Sequence, residues 1–274
     1  MGLRHALELN DIKPLTGGDI NEVYLLETIN GSFVIKLNLA RRFPGMFEAE
    51  AEGLKLLLEA KAFDIPAVSY TGIVDDYEYL IMDFIPSGSQ GPRFWESFAQ
   101  KLARLHQNSA DQFGLDHSNY IGSLPQYNEF HDSAATFYIS QRLEPQIELA
   151  MDKGFKFPDL NMFYKNITQL IPEEPAALVH GDLWNGNYLV STMGEPVLID
   201  PAVAFASREM DLGMMMLFGG FPNAVFEMYD ELFPLPGDWK ERIPIWQLYY
   251  LLVHLNLFGK GYLNRVTSIL AAYS

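Results

Sequence analysis

The segment His180–Asn187 (HGDLWNGN), followed by Asp200, contains residue types suited to phosphoryl transfer. Asn187 lies five positions after Asp182, and Asp200 lies thirteen positions after Asn187. A loop carboxylate can accept the proton of a hydroxyl group that attacks a phosphate, while an amide oxygen and a second carboxylate suit Mg²⁺. We therefore assign Asp182 as the base or hydroxyl orienter, and Asn187 and Asp200 as metal ligands. Turn residues that cap strand ends are the alternative interpretation of this pattern in isolation.

A lysine in a predicted strand and a glutamate in the next predicted helix are candidates for one ion pair. Lys36 alternates with Ile35 and Leu37, so its side chain points to the opposite face of the strand. In the helix, Glu50 falls within the apolar stripe, where an unpaired carboxylate is costly. The other charged residues of that helix lie on a polar face: Glu48, Glu52, Lys55 and Glu59. We therefore expect Glu50 to pair with Lys36, whose ammonium group would reach the α and β phosphates of a nucleotide.

The elements that must position these residues change in type along the chain. Up to about residue 85 the patterns predict strands at 23–26, 33–37, 67–73 and 77–85, a hairpin at Asn30–Gly31, and a helix at 47–60. Beyond a linker at 86–88 they predict helices from Phe94 to Leu105 and at 134–151, 162–171, 210–217, 224–232 and 243–258, with short β runs at 177–179, 188–190 and 197–199. We therefore predict an α+β protein with one part at 1–85 and a larger, mostly helical part at 86–274.

Composition excludes several classes of protein. The chain has 274 residues, and 19 Lys and Arg against 35 Asp and Glu give a net charge of −16, which disfavours nucleic acid and anionic membranes as partners. Without cysteine it has no disulfides and no Cys-based zinc sites. The near-apolar stretch 212–221 is about half the roughly 20 residues of a spanning helix. Charges at the amino terminus argue against a signal peptide, so we expect a cytoplasmic protein.

The spacing of Asp182, Asn187 and Asp200 resembles the catalytic and metal-binding loops of the protein-kinase-like fold, whose template is His-x-Asp-Leu-x-x-x-Asn followed by a second Asp. That resemblance implies two lobes, a small antiparallel β-rich lobe with one key helix and a larger helical lobe. It also implies that the Asp83 carbonyl and the Ile85 amide contact adenine, although a buried edge strand is the alternative interpretation of the apolar residues before them. In the Gly-rich segment 16–21, Gly17 and Gly18 would let backbone N–H groups approach phosphate, or would simply form a hairpin turn.

More narrowly, the chain resembles the fructosamine kinase (ketosamine-3-kinase) family from about residue 16 to 265. The segments that carry the resemblance are Met46–Glu50 with Gly53 and Leu54, Asn119–Gly122 with Gln126 and Asn128, Gln141–Leu143, His180–Asn187, Asp200–Ala202, Arg208–Leu212, Leu217–Phe221, Gln247–Tyr249 and His254–Gly259. The resemblance implies transfer of phosphate from ATP, with Mg²⁺, to the 3-hydroxyl of a ketosamine, which destabilises the adduct and supports deglycation.

The same resemblance implies roles for further residues. Trp184 would be a platform for the sugar ring, with a core-packing role as the alternative. His254 and Asn256 lie on a helix that borders the acceptor pocket in the family, although core polar groups are the alternative for both. Asp211 would brace the backbone of the catalytic loop, and His180 would pack within that loop.

Three other functions stay open on the sequence. The acceptor could be another hydroxyl compound, such as an amino alcohol, a thiosugar or an aminoglycoside. A nucleotide-binding pseudokinase would tolerate loss of any of the five residues Lys36, Glu50, Asp182, Asn187 and Asp200, all of which are present. A metal-dependent hydrolase would need more His or carboxylate ligands than the motif contains. The substrate would be either a small ketosamine or a glycated protein.

Overall fold

The computed structural model describes residues 8–15 and 20–274. Within them the strands are β1 (Leu9–Pro14), β2 (Glu22–Thr28), β3 (Gly31–Leu39), β4 (Val68–Val74), β5 (Tyr77–Asp83), β6 (Ser109–Ala110), β7 (Asn119–Ile121), β8 (Leu124–Gln126), β9 (Ala176–Val179), β10 (Tyr188–Val190), β11 (Pro196–Leu198) and β12 (Ala204–Ala206). The helices are α1 (Met46–Glu59), α2 (Phe94–His106), α3 (Ala134–Phe137), α4 (Glu144–Asp152), α5 (Asn161–Leu170), α6 (Glu209–Leu217), α7 (Asn223–Leu232), α8 (Trp239–Phe258) and α9 (Leu263–Ala272).

Two compact units make up the described chain. The first comprises the described residues of Met1–Phe94 together with Tyr188–Pro201, and the second comprises Trp95–Asn187 with Ala202–Ser274. The predicted mixture of strands and helices is confirmed. The boundary expected near residue 86 stays a prediction.

The first unit is built on an antiparallel sheet with the strand order β1-β2-β3-β5-β4, so β3 is the central strand. Ile35 and Ile81 belong to a small apolar core on one face of this sheet. Lys36, opposite Leu80 in the register, points to the other face, which α1 covers. The predicted β2–β3 hairpin is confirmed, and its strands pair from Thr28 and Gly31 outwards.

The β10–β11 hairpin also belongs to the first unit, although it comes late in the sequence. The Leu198 amide donates to the Asp64 carbonyl at 3.1 Å, and the Gly88 amide donates to the Val190 carbonyl at 2.8 Å. These main-chain bonds attach the hairpin to the segments that precede it in the unit. The hairpin therefore places Asp200, which follows β11, in the same unit as β3.

The second unit packs its helices around α8. This helix is buried along most of its length and contacts α4, α6 and α9. The Tyr138 hydroxyl donates to the Ile245 carbonyl at 2.6 Å inside the core. A small antiparallel sheet with the order β12-β9-β6 lies in the same unit. Strand β9 leads directly into the segment His180–Asn187, so this sheet sets where the predicted catalytic loop begins.

Several elements differ from the sequence prediction. The helix predicted at 134–151 is instead α3, a π-helical stretch at Tyr138–Leu143, and α4. Strands β6, β7, β8 and β12 have two or three residues each, which is too short to show a period. Strand β1 is exposed throughout, so it lacks the alternation that identifies a half-buried strand. Helix α9 was not predicted.

In the described part of the chain, none of the helices combines the length and apolar character needed to cross a bilayer.

Candidate active site

Lys36 is the buried cation of the first unit's candidate site. It is 5% exposed, and its Nζ donates to Glu50 Oε1 at 2.6 Å and to Asp200 Oδ1 at 2.5 Å. Burial by itself would lower the pKa of Lys36, but the carboxylates of Asp200 and Glu50 raise it above its usual value. The ammonium group therefore stays charged. The pair with Glu50 was predicted from the sequence, whereas the pair with Asp200 was not.

Helix α1 presents Glu50 to Lys36 from the face that packs on the sheet. Phe47 and Leu54, one turn on either side, are buried on that face. Burial raises the pKa of Glu50, and the charge of Lys36 opposes this shift. At the start of the helix the Phe47 amide donates to the buried carboxylate of Glu78 at 3.2 Å. The four charged residues assigned to the polar face are all exposed: Glu48, Glu52, Lys55 and Glu59.

In the second unit, the side chains of Asp182 and Asn187 are held together. Asn187 Nδ2 donates to the main-chain oxygen of Asp182 at 2.8 Å and to its Oδ2 at 3.0 Å. The Trp184 amide donates to the Asp182 carbonyl at 3.1 Å, and the Asn187 amide donates to the Trp184 carbonyl at 3.0 Å. The side-chain nitrogen of Asn187 is directed at Asp182. Its side-chain oxygen, Oδ1, is the atom of a type that binds cations. The loop thus orients one carboxylate and one amide oxygen.

Asp211 braces the backbone of this loop from α6, as the family resemblance implies. Its carboxylate accepts from the amides of His180 at 2.8 Å and Gly181 at 2.9 Å, and it lies 3.1 Å from His106 Nε2. Burial would raise the pKa of Asp211, but the hydrogen bond and charge of His106, with the contribution of His180, lower it below its usual value. His180 is fully buried, which agrees with the packing role expected for it.

Gly181, immediately before Asp182, sits where a side chain has no room. Its φ is 81°, and a Cβ at this position would lie 2.0 Å from the Ala202 carbonyl oxygen. Tyr250 Oη donates to the Gly181 carbonyl at 2.9 Å, and Gln126 Nε2 donates to the Ala202 carbonyl at 3.0 Å. Gln126 is one of the residues that carry the family resemblance, but the sequence patterns assigned no contact to it or to Tyr250. Such contacts join residues far apart in the chain, and no local pattern signals them.

The residues expected to contact the nucleotide base lie at the end of β5 and just after it. Asp83 is exposed, and its amide donates to the Ala67 carbonyl at 3.0 Å. The Ile85 amide donates to no acceptor among residues 8–15 and 20–274, which leaves it available to a ligand or to water. The predicted phosphate contacts Gly17 and Gly18 lie outside the described residues. The roles of all four stay predictions.

The three predicted acceptor contacts differ in exposure. Trp184 is 39% exposed and lies over Gly186, so the alternative of a core-packing tryptophan is wrong. His254 is partly buried, and its Nδ1 is 2.7 Å from the Tyr250 carbonyl. Asn256 is 6% exposed, and its Nδ2 donates to the main chain and side chain of Gln146. The burial of Asn256 favours the core-group alternative for this residue, and its role at an acceptor stays a prediction.

Comparison with known proteins places these motifs in context. The family model described as Fructosamine kinase matches residues 2–273. A "Probable ketoamine kinase" of Enterococcus faecium is 38% identical over 276 residues, which cover 96% of each chain. A "Probable ketoamine kinase" of Escherichia coli K12 is 36% identical over 252 residues, covering 91% of this chain and 87% of the relative.

Solved structures resemble the whole chain. The crystal structure of a "putative fructosamine-3-kinase" from Thermobifida fusca has a TM-score of 0.88 and 32% identity, covering 100% of this chain and 98% of the other. A spectinomycin phosphotransferase in complex with ADP and spectinomycin has a TM-score of 0.60 and 15% identity, covering 95% and 85% of the two chains. The second likeness concerns the fold alone. Together they confirm the predicted α+β, protein-kinase-like fold.

Proposed function

The chain belongs to the fructosamine kinase family, and from that membership we propose that it transfers the γ-phosphoryl group of ATP to the 3-hydroxyl of a ketosamine. The observation that carries this proposal is the buried ammonium group of Lys36, held by Glu50 and Asp200. A chain with a net charge of −16 needs such a local cation to bind an anionic nucleotide. The 3-phosphate would destabilise the sugar–amine adduct, so the reaction would support deglycation. We place it in the cytoplasm, where ATP is supplied.

Asp182 is the residue that we propose acts on the acceptor hydroxyl. Asn187 Nδ2 holds one oxygen of its carboxylate, which keeps the group oriented while it accepts the hydroxyl proton. The bond between the acceptor oxygen and the γ-phosphorus forms, and the bond between that phosphorus and the β–γ bridging oxygen breaks. ADP leaves with the bridging oxygen. Because this type of reaction depends mainly on positioning, the brace that Asp211 provides to the loop contributes to the rate indirectly.

The nucleotide would be held by groups of the first unit. Lys36 would bind the α and β phosphates, and Glu50 would keep its ammonium group in place. The Asp83 carbonyl and the Ile85 amide would bind adenine, which is consistent with the lack of an acceptor for that amide among the described residues. The backbone at Gly17 and Gly18 would contribute further N–H groups to the phosphates.

We propose Asn187 and Asp200 as the protein ligands of Mg²⁺. Amide and carboxylate oxygens are hard donors, and Mg²⁺ is commonly bound through one or two carboxylates plus substrate phosphates. The Asp200 side chain is 41% exposed, so its carboxylate is accessible as well as paired with Lys36. Within the described residues no group of three or more His, Asp and Glu side chains could hold a metal ion. When bound, the ion would neutralise charge on the phosphate oxygens.

The acceptor would meet the exposed ring of Trp184, beside Asp182 in the loop after β9, and also the side chain of His254 on α8. An aromatic face packs well against the apolar face of a sugar ring. Both a free ketosamine and a ketosamine on a protein fit this proposal, and Asn256 would act on the acceptor through the helix that it anchors.

A panel of acceptors tests the proposed function. ADP release would be measured with Mg-ATP and fructosyl-lysine, ribulosyl-lysine, choline or an aminoglycoside, and we expect turnover with the ketosamines. Phosphorus NMR of the product would locate the new phosphate on the 3-hydroxyl. Turnover of choline or the aminoglycoside with none of the ketosamines would refute the substrate class. ADP binding without turnover of any acceptor would favour the pseudokinase alternative.

A further inference from the structure

Four buried polar side chains of the second unit are joined by hydrogen bonds into one group, here named the amide network: Asn119, Gln126, Asn128 and Arg142. Each of them is at most 5% exposed. All four belong to the segments that carry the family resemblance, and the proposed function uses none of them. Buried polar networks whose bonds are made rigidify the part of the core that they bind, so what this network binds is informative.

The hydrogen bonds of the amide network lead to two neighbouring carbonyls of the main chain. Gln126 Nε2 donates to the Ala202 carbonyl at 3.0 Å. Asn119 Nδ2 donates to the Val203 carbonyl at 2.9 Å. Because a carbonyl can only accept, these two bonds fix which way each amide faces. Asn119 Oδ1 is then free to accept from Gln126 at 2.8 Å and from Asn128 at 3.0 Å, which it does.

Arg142 and Tyr249 are the outer donors of the network. Arg142 Nη2 donates to Asn128 Oδ1 at 2.7 Å, and because a guanidinium group can only donate, the nitrogen of Asn128 is left to face Asn119. Tyr249 Oη donates to Gln126 Oε1 at 2.7 Å. Burial raises the pKa of Tyr249, against the charge of Arg142, so the hydroxyl keeps its proton. Donation therefore runs in one direction, from these two residues towards the main-chain carbonyls.

The backbone that the network binds is in contact with the start of the catalytic loop. The Ala202 amide donates to the His180 carbonyl at 2.9 Å, and a Cβ on Gly181 would lie 2.0 Å from the Ala202 carbonyl oxygen. A shift of this carbonyl would therefore move Gly181, the residue before Asp182. Asp200, two residues before Ala202 in the chain, has a φ of 55°, and a residue other than glycine keeps such a conformation only where the neighbouring chain is held.

We propose that Gln126 and Asn119 are positioning residues for phosphoryl transfer, which hold the backbone of Ala202 and Val203 and through it the position of Asp182. Arg142 and the Tyr249 hydroxyl fix the orientation of the two amides. The network is buried, so it acts through the backbone and not on a substrate. This inference rests on the proposed function, because the rate of phosphoryl transfer depends on positioning and a displacement of about 1 Å costs up to about 100-fold.

Replacing Gln126 by methionine tests the inference. Methionine is unbranched like glutamine but has no N–H donor, so the Ala202 carbonyl loses its bond. With Mg-ATP and fructosyl-lysine we expect kcat to fall about 10- to 100-fold while KM for ATP stays within about twofold of the wild type. Hydrogen exchange of the peptide covering 180–187, followed by mass spectrometry, should become faster in the variant, which is a readout independent of activity.

Two tyrosine variants separate positioning from general stability. Tyr249→Phe removes an outer donor of the network and should lower kcat about threefold or more. Tyr138→Phe is the matched control, because Tyr138 is equally buried in the same unit and donates to the Ile245 carbonyl at 2.6 Å, outside the network. We expect a similar fall in melting temperature in both variants, with kcat of Tyr138→Phe within about twofold of the wild type. When added to Gln126→Met, Tyr249→Phe should lower kcat no further, because its partner is already absent.

The outcomes distinguish this inference from the function on which it rests. An unchanged kcat in Gln126→Met, or equal falls of kcat in Tyr249→Phe and Tyr138→Phe, would overturn the inference and leave the proposed function standing. Effects of Gln126→Met and Tyr249→Phe that multiply in the double variant would overturn it as well. If Gln126→Met does not fold, the comparison of the two tyrosine variants decides. A wild type that turns over only another acceptor refutes the substrate class, and kcat for that acceptor then tests the network. No turnover of any acceptor would overturn both.

Discussion

Replacing Glu50 by glutamine tests the ion pair on which nucleotide binding should depend. The side chains of Lys36 and Glu50 are 6% and 12% exposed, and breaking a buried pair costs about 3–5 kcal/mol. Glutamine keeps an acceptor oxygen, and Asp200 keeps its charge next to Lys36, so we expect a smaller loss of about 2 kcal/mol. If all of that free energy is lost from nucleotide binding, because Lys36 no longer holds the position that binds phosphate, KM for ATP rises about 30-fold.

The assay combines kinetics and binding. KM for ATP would be taken from ADP release at saturating acceptor, and ADP affinity from calorimetry without acceptor. Glu52→Gln is the matched control, because Glu52 lies on the exposed face of the same helix and is 3.6 Å from Lys55, a pair more than half exposed. We expect its KM for ATP to stay within about twofold of the wild type. Equal changes in the two variants, or an unchanged KM in Glu50→Gln, would refute the reasoning from helix faces.

Three further predictions concern the loop of the second unit. Asp182→Asn should lower kcat by at least about 100-fold while ADP affinity, measured by calorimetry, is kept; activity near that of the wild type would remove Asp182 from its role. Gly181→Ala should destabilise the protein by more than about 2 kcal/mol in urea unfolding, because backbone strain adds to the clash with the Ala202 carbonyl. Gly154 has a φ of 90° but open space around it, so Gly154→Ala is the control and should cost only about 1 kcal/mol. Equal losses of stability in the two variants would contradict the clash. Asp211→Asn should be less stable than the wild type at pH 7. Because the folded-state pKa of Asp211 lies below its usual 3.8, that difference should shrink as the pH falls below about 4, and a difference that grows would contradict the assignment.

Much of the first unit's candidate site was predictable because its residues lie in long elements with a clear period. Strand alternation placed the side chains of Lys36 and Ile35 on opposite faces of the sheet, and helical periodicity placed Glu50 and Glu52 on different faces of the helix. The strand pattern repeats every two residues and the helix pattern every 3.6 residues, so a few neighbouring residues are enough to assign the face of a side chain. The ion pair between Lys36 and Glu50 follows from those two faces meeting.

Other contacts were not predictable from local patterns. Three aromatic rings contact the ring of His254: Phe218 comes from the end of α6, and Phe258 and Tyr262 come from the end of α8 and the turn that follows it. Each is an ordinary aromatic residue in the sequence. Their grouping depends on how α6 packs against α8, for which no spacing along the chain gives a signal.

The sequence by itself determined the types of the reactive residues, their order and the faces of the elements that carry them, since these depend on motifs and on local periods. Only the tertiary structure showed that Lys36 has a second carboxylate partner, Asp200, which is 164 positions away. That contact exists because the hairpin before Asp200 packs in the same unit as β3. Packing of this kind sums many weak contacts between distant segments, and no single segment encodes it.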